Sequence, residues 1–162
     1  MKIKKLIIAI DGPAGSGKST TAKALAKRMK ATFIDTGAMY RAVTLKAMQE
    51  IVPFENKKRL IQIAKKIKIE FKNVGTTRRV APTLQHVFLD GHDVTEQIRT
   101  PELTKNVFYV AQEPLIRREM VKKQRQMGMK NGAVMEGRDI GTKVFPDADF
   151  KFYFKADEEL RA

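Results

Sequence analysis

The 162-residue chain has no cysteine, which excludes a disulfide framework and a thiolate metal site and fits a reducing compartment. Its only two histidines, His86 and His92, read as ordinary residues of a small insert, so no histidine metal centre is expected. No apolar run approaches the roughly 18 to 20 residues that a membrane span needs. The first such run, Leu6 to Ile10, stops at Asp11 and is also too short for a secretory signal. A soluble, cytoplasmic protein without a membrane partner is the expectation. Acids are scarce too: 18 Asp and Glu face 32 Lys and Arg, a formal charge of +14. That excess narrows the partners to anions without choosing among nucleotides, nucleic acid and membrane surfaces. Nine of the basic residues fall in Lys57 to Val80 against Glu70 alone, and six in Arg117 to Lys130 against Glu119. Solvated helix faces or loops explain such clusters as readily as a binding surface does.

With 43% apolar residues the chain can bury one sizeable core. Leu6 to Ile10 is a continuous apolar run of strand length, suited to a strand buried on both faces. Beyond a glycine-rich stretch, Ala22, Leu25, Ala26 and Met29 recur at helical spacing, which predicts a helix over Lys18 to Met29. Thr32 to Gly37 reads as a second strand ending in a polar turn, and Ala38 to Glu50 as a helix with Met39, Ala42, Val43 and Ala47 inward. Lys58 to Lys66 is helical in pattern, whereas Ile67 to Lys72 alternates apolar and charged residues, as an antiparallel strand with one wet face does. Gly75 and the dipeptide Asp90-Gly91 signal turns. Residues 57–95 are therefore expected to form a small antiparallel insert.

Thr100 and Pro101 suit an N-cap and a first helical position, with a helix expected to about Gln112. A basic helix should follow from Pro114 to about Met127, ended by Gly128 or by Asn131-Gly132. Ala133 to Glu136 and Phe150 to Phe154 complete four core strands separated by helices, a pattern that predicts a mostly parallel sheet wrapped by helices. Asp157 looks like an N-cap, but only five residues follow it, well short of a stable helix. The chain is thus expected to be cut within an element. An unpaired edge at Phe150 to Phe154 would then favour self-association.

The stretch Gly12-Pro13-Ala14-Gly15-Ser16-Gly17-Lys18-Ser19, followed by Thr20, satisfies G-x-x-x-x-G-K-[ST] between a strand and a helix. Chance matches in a chain of this length are on the order of one per cent, and the context lowers that further. Glycines let backbone N–H groups turn inward around a phosphate at a helix N-terminus, where the helix dipole also favours an anion. Lys18 then reaches the β and γ phosphates, and the Ser19 hydroxyl helps to hold Mg²⁺. An N-K-x-D guanine signature is not supplied by "NKKR" at Asn56. Ligands of open α/β sheets bind beyond the carboxyl ends of the strands. There "DTGAMYR" (Asp35 to Arg41) and "EGRDIG" (Glu136 to Gly141) present Arg41 and Arg138, planar forks suited to phosphate oxygens.

Together with "FLDGHDVTEQIRTPEL", "VAQEPLIRREMVKKQR" and "VMEGRDIGTKVFPDA", these stretches resemble bacterial cytidylate kinase, and the matches extend from Ile8 to Ala148. The resemblance implies a P-loop NTPase-type α/β fold over residues 1–162, incomplete at its C-terminus, with 57–95 as the monophosphate-binding insert. It implies transfer of the ATP γ-phosphoryl to CMP or dCMP, with Mg²⁺, by a monomer when complete. Position by position, Thr36 and Arg41 should bind the acceptor nucleotide, Arg117 and Asp139 its cytosine, and Arg138 should lie near its phosphate. Lys18, Arg41 and Arg138 would be the catalytic groups, and Gly12 to Thr20 the ATP site. Phe108 stands where the family has a serine that contacts the base, and the family continues past the end of this chain through an arginine-rich lid. A nucleotide-binding fragment with little turnover is one rival reading. A nucleic-acid-associated P-loop ATPase is the other, although no stacking platform of clustered aromatics is evident outside the expected core.

Overall fold

The computed structural model describes residues 5–74 and 84–155. The chain runs β1 (Ile7–Asp11), α1 (Lys18–Met29), β2 (Thr32–Asp35), α2 (Thr36–Gln49), α3 (Lys57–Lys66), β3 (Ile69–Val74), β4 (Leu84–Leu89), β5 (His92–Asp93), α4 (Pro101–Ala111), α5 (Pro114–Asn131), β6 (Ala133–Gly137) and β7 (Phe150–Tyr153). A 3-10 turn at Gln97–Arg99 and a π-helical turn at Ile140–Val144 complete it. The turn expected at Gly75 and the helix expected to open at Asp157 lie outside the described residues. Two compact units result: one takes the described residues up to Gly37 and from Val121 onward, the other Ala38–Met120.

The first unit is built on a parallel four-stranded sheet of order β2-β6-β1-β7. Continuous apolar sequence explains why β1 and β6 take the inner places, since both faces of an inner strand of such a sheet are covered. Alternation along β1 sends Ile8 and Ile10 to one face, where they join Ala22 and Ala26 of α1, Phe33 and Val134 in a buried cluster. Burying each isoleucine contributes about 2 kcal/mol before entropy is counted. Ile7 points the other way, toward Gly128 of α5 and the Phe145 ring. Parallel strands with flanking helices and a separate antiparallel sheet give the α/β class expected from the sequence.

The second unit carries the antiparallel sheet β3-β4-β5, with Ile69 opposite Leu89 and Phe71 opposite Val87. Ala38, Met39, Ala42, Val43 and Ala47 of α2 are buried, as their spacing predicts. The Asn56 side chain accepts from the Arg59 N–H at the start of α3, and Thr100 caps α4 with Pro101 just inside it.

Four expectations need correction. Helix α2 starts at Thr36, not Ala38, because the Thr36 hydroxyl donates to the Glu136 carbonyl and ties the would-be turn to β6. Helix α5 runs past Met127 and through Gly128 to Asn131, so that of the two ends expected for it Asn131-Gly132 is the one taken. Gly128 is there for contact, since a Cβ would sit 2.8 Å from Phe145 Cζ, and the left-handed residue past the helix end is Gly132. Met29 is 39% exposed and not part of the core face, as it is the last residue of α1 before the left-handed Lys30. Ile67 caps α3 in an extended conformation, so the strand drawn from 67 begins at Ile69.

Candidate functional site

Beyond the carboxyl end of β1 the chain turns from Gly12 into α1, and the conformation of Gly17 shows what the glycines are for. Gly17 is the N-cap of α1 at φ 78°, a left-handed conformation costly for other residues. No side chain caps this helix and no acid stands in its first turn. A helix N-terminus of this kind, with its dipole, suits an anion. Lys18 Nζ and Ser16 Oγ both donate to the Pro13 carbonyl, each at 2.9 Å, which draws the two ends of the loop together. Gly12 is buried, while Ala14, Gly15, Gly17 and Thr20 are exposed.

Strand register brings three carboxylates to the same edge of the sheet. Asp35 ends β2 opposite Glu136 of β6, and Asp11 ends β1 opposite Gly137. The Ser19 hydroxyl donates to Glu136 Oε2 at 2.5 Å. Burial pushes the Glu136 carboxyl above its ordinary pKa and Asp35 adds to this, while the Ser19 bond and the charges of Lys18 and Lys23 oppose it. Hydroxyl and carboxylate together are the oxygen donors that a hard divalent cation takes. Among the described residues no group of three or more His, Cys, Asp or Glu could hold a metal. A cation beside Ser19 and Glu136 would draw its other ligands from water and phosphate. The set fits such an ion.

Thr36, Arg138 and Asp139 lie in the same unit as the loop. The Thr36 hydroxyl proton is used on the Glu136 carbonyl at 2.7 Å, which leaves the oxygen lone pairs for a ligand. Gly137 permits this approach, because a Cβ there would come within 2.6 Å of Thr36 Oγ1. Arg138 is exposed and Asp139 half-buried, directly beyond β6.

Arg41, Phe108 and Arg117 belong to the second unit. Arg41 is half-buried on α2, and its neighbour Tyr40 carries the Arg117 guanidinium over its ring, 5.9 Å from the centroid. Arg117 Nη1 also donates to the Ala111 carbonyl at the end of α4. Phe108 is 66% exposed and meets the Tyr109 ring edge-on, while Tyr109 stacks on Phe54 at 5.4 Å. These three rings form a partly exposed aromatic group, packed on one another. Phe54 is remote in sequence and only folding brings it in. Two concavities of this unit, about 120 and 400 Å³, are lined by Lys46, Asp90 and neighbours and include none of the predicted site residues.

Sequence reasoning did not single out Glu136, Asp11 or Tyr40. The first two share a legible signal, an acid closing an apolar strand ("IIAID", "AVMEG"), where strand ends meet ligands. Tyr40 stood inside the quoted "DTGAMYR", but its partner Arg117 is set by packing.

A family model described as cytidylate kinase matches residues 8–162. Proteins named cytidylate kinase from Bacillus thuringiensis (strain Al Hakam), Bacillus cereus (strain AH187) and Bacillus anthracis (strain A0248) are each 49% identical to this chain over 159 residues. That span is 98% of the chain and 68% of each relative.

Proposed function

The chain belongs to the cytidylate kinase family, and from that premise we propose that it transfers the γ-phosphoryl of ATP to the 5′-phosphate of CMP or dCMP, yielding ADP with CDP or dCDP. The observation that carries the donor half is the uncapped N-terminus of α1 with Lys18 drawn across its loop and Ser19 bonded to the buried Glu136. An oxygen of the acceptor phosphate forms the new bond to the γ phosphorus while the bond from that phosphorus to the β,γ-bridging oxygen breaks. The acceptor phosphate has already lost its second proton near pH 7, since that pKa lies near 6, so the reaction needs no general base. What remains is positioning and electrostatics.

In this reading the backbone N–H groups of Gly12 to Thr20 cradle the ATP phosphates, and Lys18 follows the charge that moves onto the leaving oxygen. Ser19 and Glu136 would hold Mg²⁺, which when bound would neutralise phosphate charge. Arg41 takes the acceptor phosphate, with Arg138 near it and Thr36 offering its hydroxyl oxygen. Arg117 and Asp139 pair with the polar edge of cytosine, because donors and acceptors left unmatched by a wrong base discriminate strongly. Phe108 presents an apolar face to the base in place of a hydrogen bond. Residues 57–95 act as the insert beside the monophosphate. The substrates are small nucleotides of the cytoplasm, and the protein works on them as a monomer.

The test is ADP formation measured with CMP, dCMP, UMP, AMP and GMP in turn, with a binding titration of each monophosphate on the same preparation. Binding and turnover should favour CMP or dCMP. Equal affinity for all five, or a preference for purines, would overturn the reading.

A further inference from the structure

The π-helical turn Ile140–Val144 has an unusual start. Its N-cap is Asp139, a residue type that normally caps its own helix through its carboxylate, yet the Asp139 side chain makes no cap bond. The first N–H groups of the turn are satisfied from elsewhere. Asp11, 7% exposed at the end of β1, accepts from the Ile140 N–H through Oδ1 and from the Gly141 N–H through Oδ2, both at 2.8 Å. The Asp11 backbone is pinned as well: its carbonyl accepts from the Phe154 N–H at 2.7 Å, and the next residue, Gly12, donates to the Gly137 carbonyl at 3.3 Å. Gly141 lies against the Lys151 side chain and Asp11, since a Cβ would lie 2.9 Å from Lys151 Cδ and 3.4 Å from Asp11 Oδ2.

We infer that Asp11 is a positioning residue which caps the Ile140–Val144 turn, so that the Arg138–Asp139 backbone is held rigidly in the place from which Asp139 reads the acceptor base. The two-oxygen grip is charge-assisted and buried, so it is strong and directional. Asparagine cannot reproduce it, because one of its two side-chain atoms is a donor and would face an N–H. The residue that opens the phosphate loop thereby sets the geometry of base selection. Its effect passes through Asp139 and requires no contact with either nucleotide. This inference rests on the acceptor reading given above.

The experiment measures dissociation constants for CMP, AMP and ATP, with the thermal midpoint, for the parent chain, Asp11→Asn, Asp139→Ala and the double variant. Parent and Asp139→Ala decide the acceptor reading by themselves: selectivity for CMP that Asp139→Ala narrows supports it, and its absence removes both that reading and this inference. Given that selectivity, Asp11→Asn should weaken CMP about tenfold, narrow the CMP-over-AMP ratio and change ATP affinity less than threefold. Adding Asp139→Ala to it should cost little more, because the two act in series. Should Asp11→Asn not fold, Asp11→Ser keeps a single short acceptor in place of the two-oxygen grip, and the same split is expected. CMP and ATP weakening in parallel, unchanged selectivity, or additive losses in the double variant would each overturn the inference and leave Asp11 a purely structural anchor.

Discussion

Replacing Gly128 by alanine sets two effects of opposite sign against each other within one helix. Glycine inside a helix costs about 1 kcal/mol relative to alanine, so a surface glycine at this position would be improved by the change. Gly128 is buried inside α5, however, and an added Cβ would stand 2.8 and 2.9 Å from Phe145 Cζ and Cε2 and 3.3 Å from Ile7 Cδ1. Real Cβ contacts that short do not occur, and an aromatic ring cannot bend away as the end of a lysine can. Overpacking of this kind costs about 1 to 3 kcal/mol. Subtracting the helical gain leaves a net loss of about 1 kcal/mol, or about 3 °C in the thermal midpoint of a chain of this size. The assay is urea unfolding followed by far-UV circular dichroism, repeated in a Phe145→Leu background where the ring is gone. There Gly128→Ala should stabilise by about 1 kcal/mol, giving a coupling of about 2 kcal/mol between the two sites. Stabilisation of the parent by Gly128→Ala, or additivity in the double variant, would show that Phe145 does not press on this face of α5.

Three further outcomes are expected. Lys18→Ala should lower phosphoryl transfer by at least about 10² to 10³ with a thermal midpoint near that of the parent, and near-normal turnover would remove the loop from the reaction. Phe108→Ser restores a hydrogen-bonding group in place of an exposed ring and should raise the CMP-over-AMP ratio; a ratio unchanged or reduced would take Phe108 away from the base. Asp93 is held at about 2 by the Thr95 hydroxyl, the Thr95 N–H and His86. Because the folded value is depressed, the stabilisation is present above about 3.8 and is lost as pH falls through about 2. Carboxyl chemical shifts should therefore show Asp93 titrating near the lower value and moving upward in Thr95→Val, and no movement would mean that the Thr95 bonds do not set it.

How much was legible in the linear chain follows from the range of the forces involved. Apolar runs, helical spacing, the Thr100-Pro101 entrance and the glycine-lysine loop are local patterns, and each element they predict is present with ends shifted by a few residues. The loop's place between β1 and α1 was legible for the same reason: its glycines, Lys18 and Ser19 are contiguous, so sequence order is already spatial order. Even the family membership rests on such contiguous stretches. Contacts between distant segments could not be read that way. Gly128 has the sequence signature of a helix end, and only the arrival of Phe145, 17 positions on, makes it a contact residue inside a continuing helix. The pairing of Ser19 with Glu136 depends on β6 lying beside β1, a choice of strand order made by the packing of whole elements. Asp11 could be recognised as an acid at a strand end, but that its two oxygens cap a turn 129 residues later was decided only when β1, β6 and the Ile140–Val144 turn came together. Residue type supplied the donors and acceptors, and tertiary packing determined which of them meet, because hydrogen bonds act only at contact and the chain must fold before remote groups reach it.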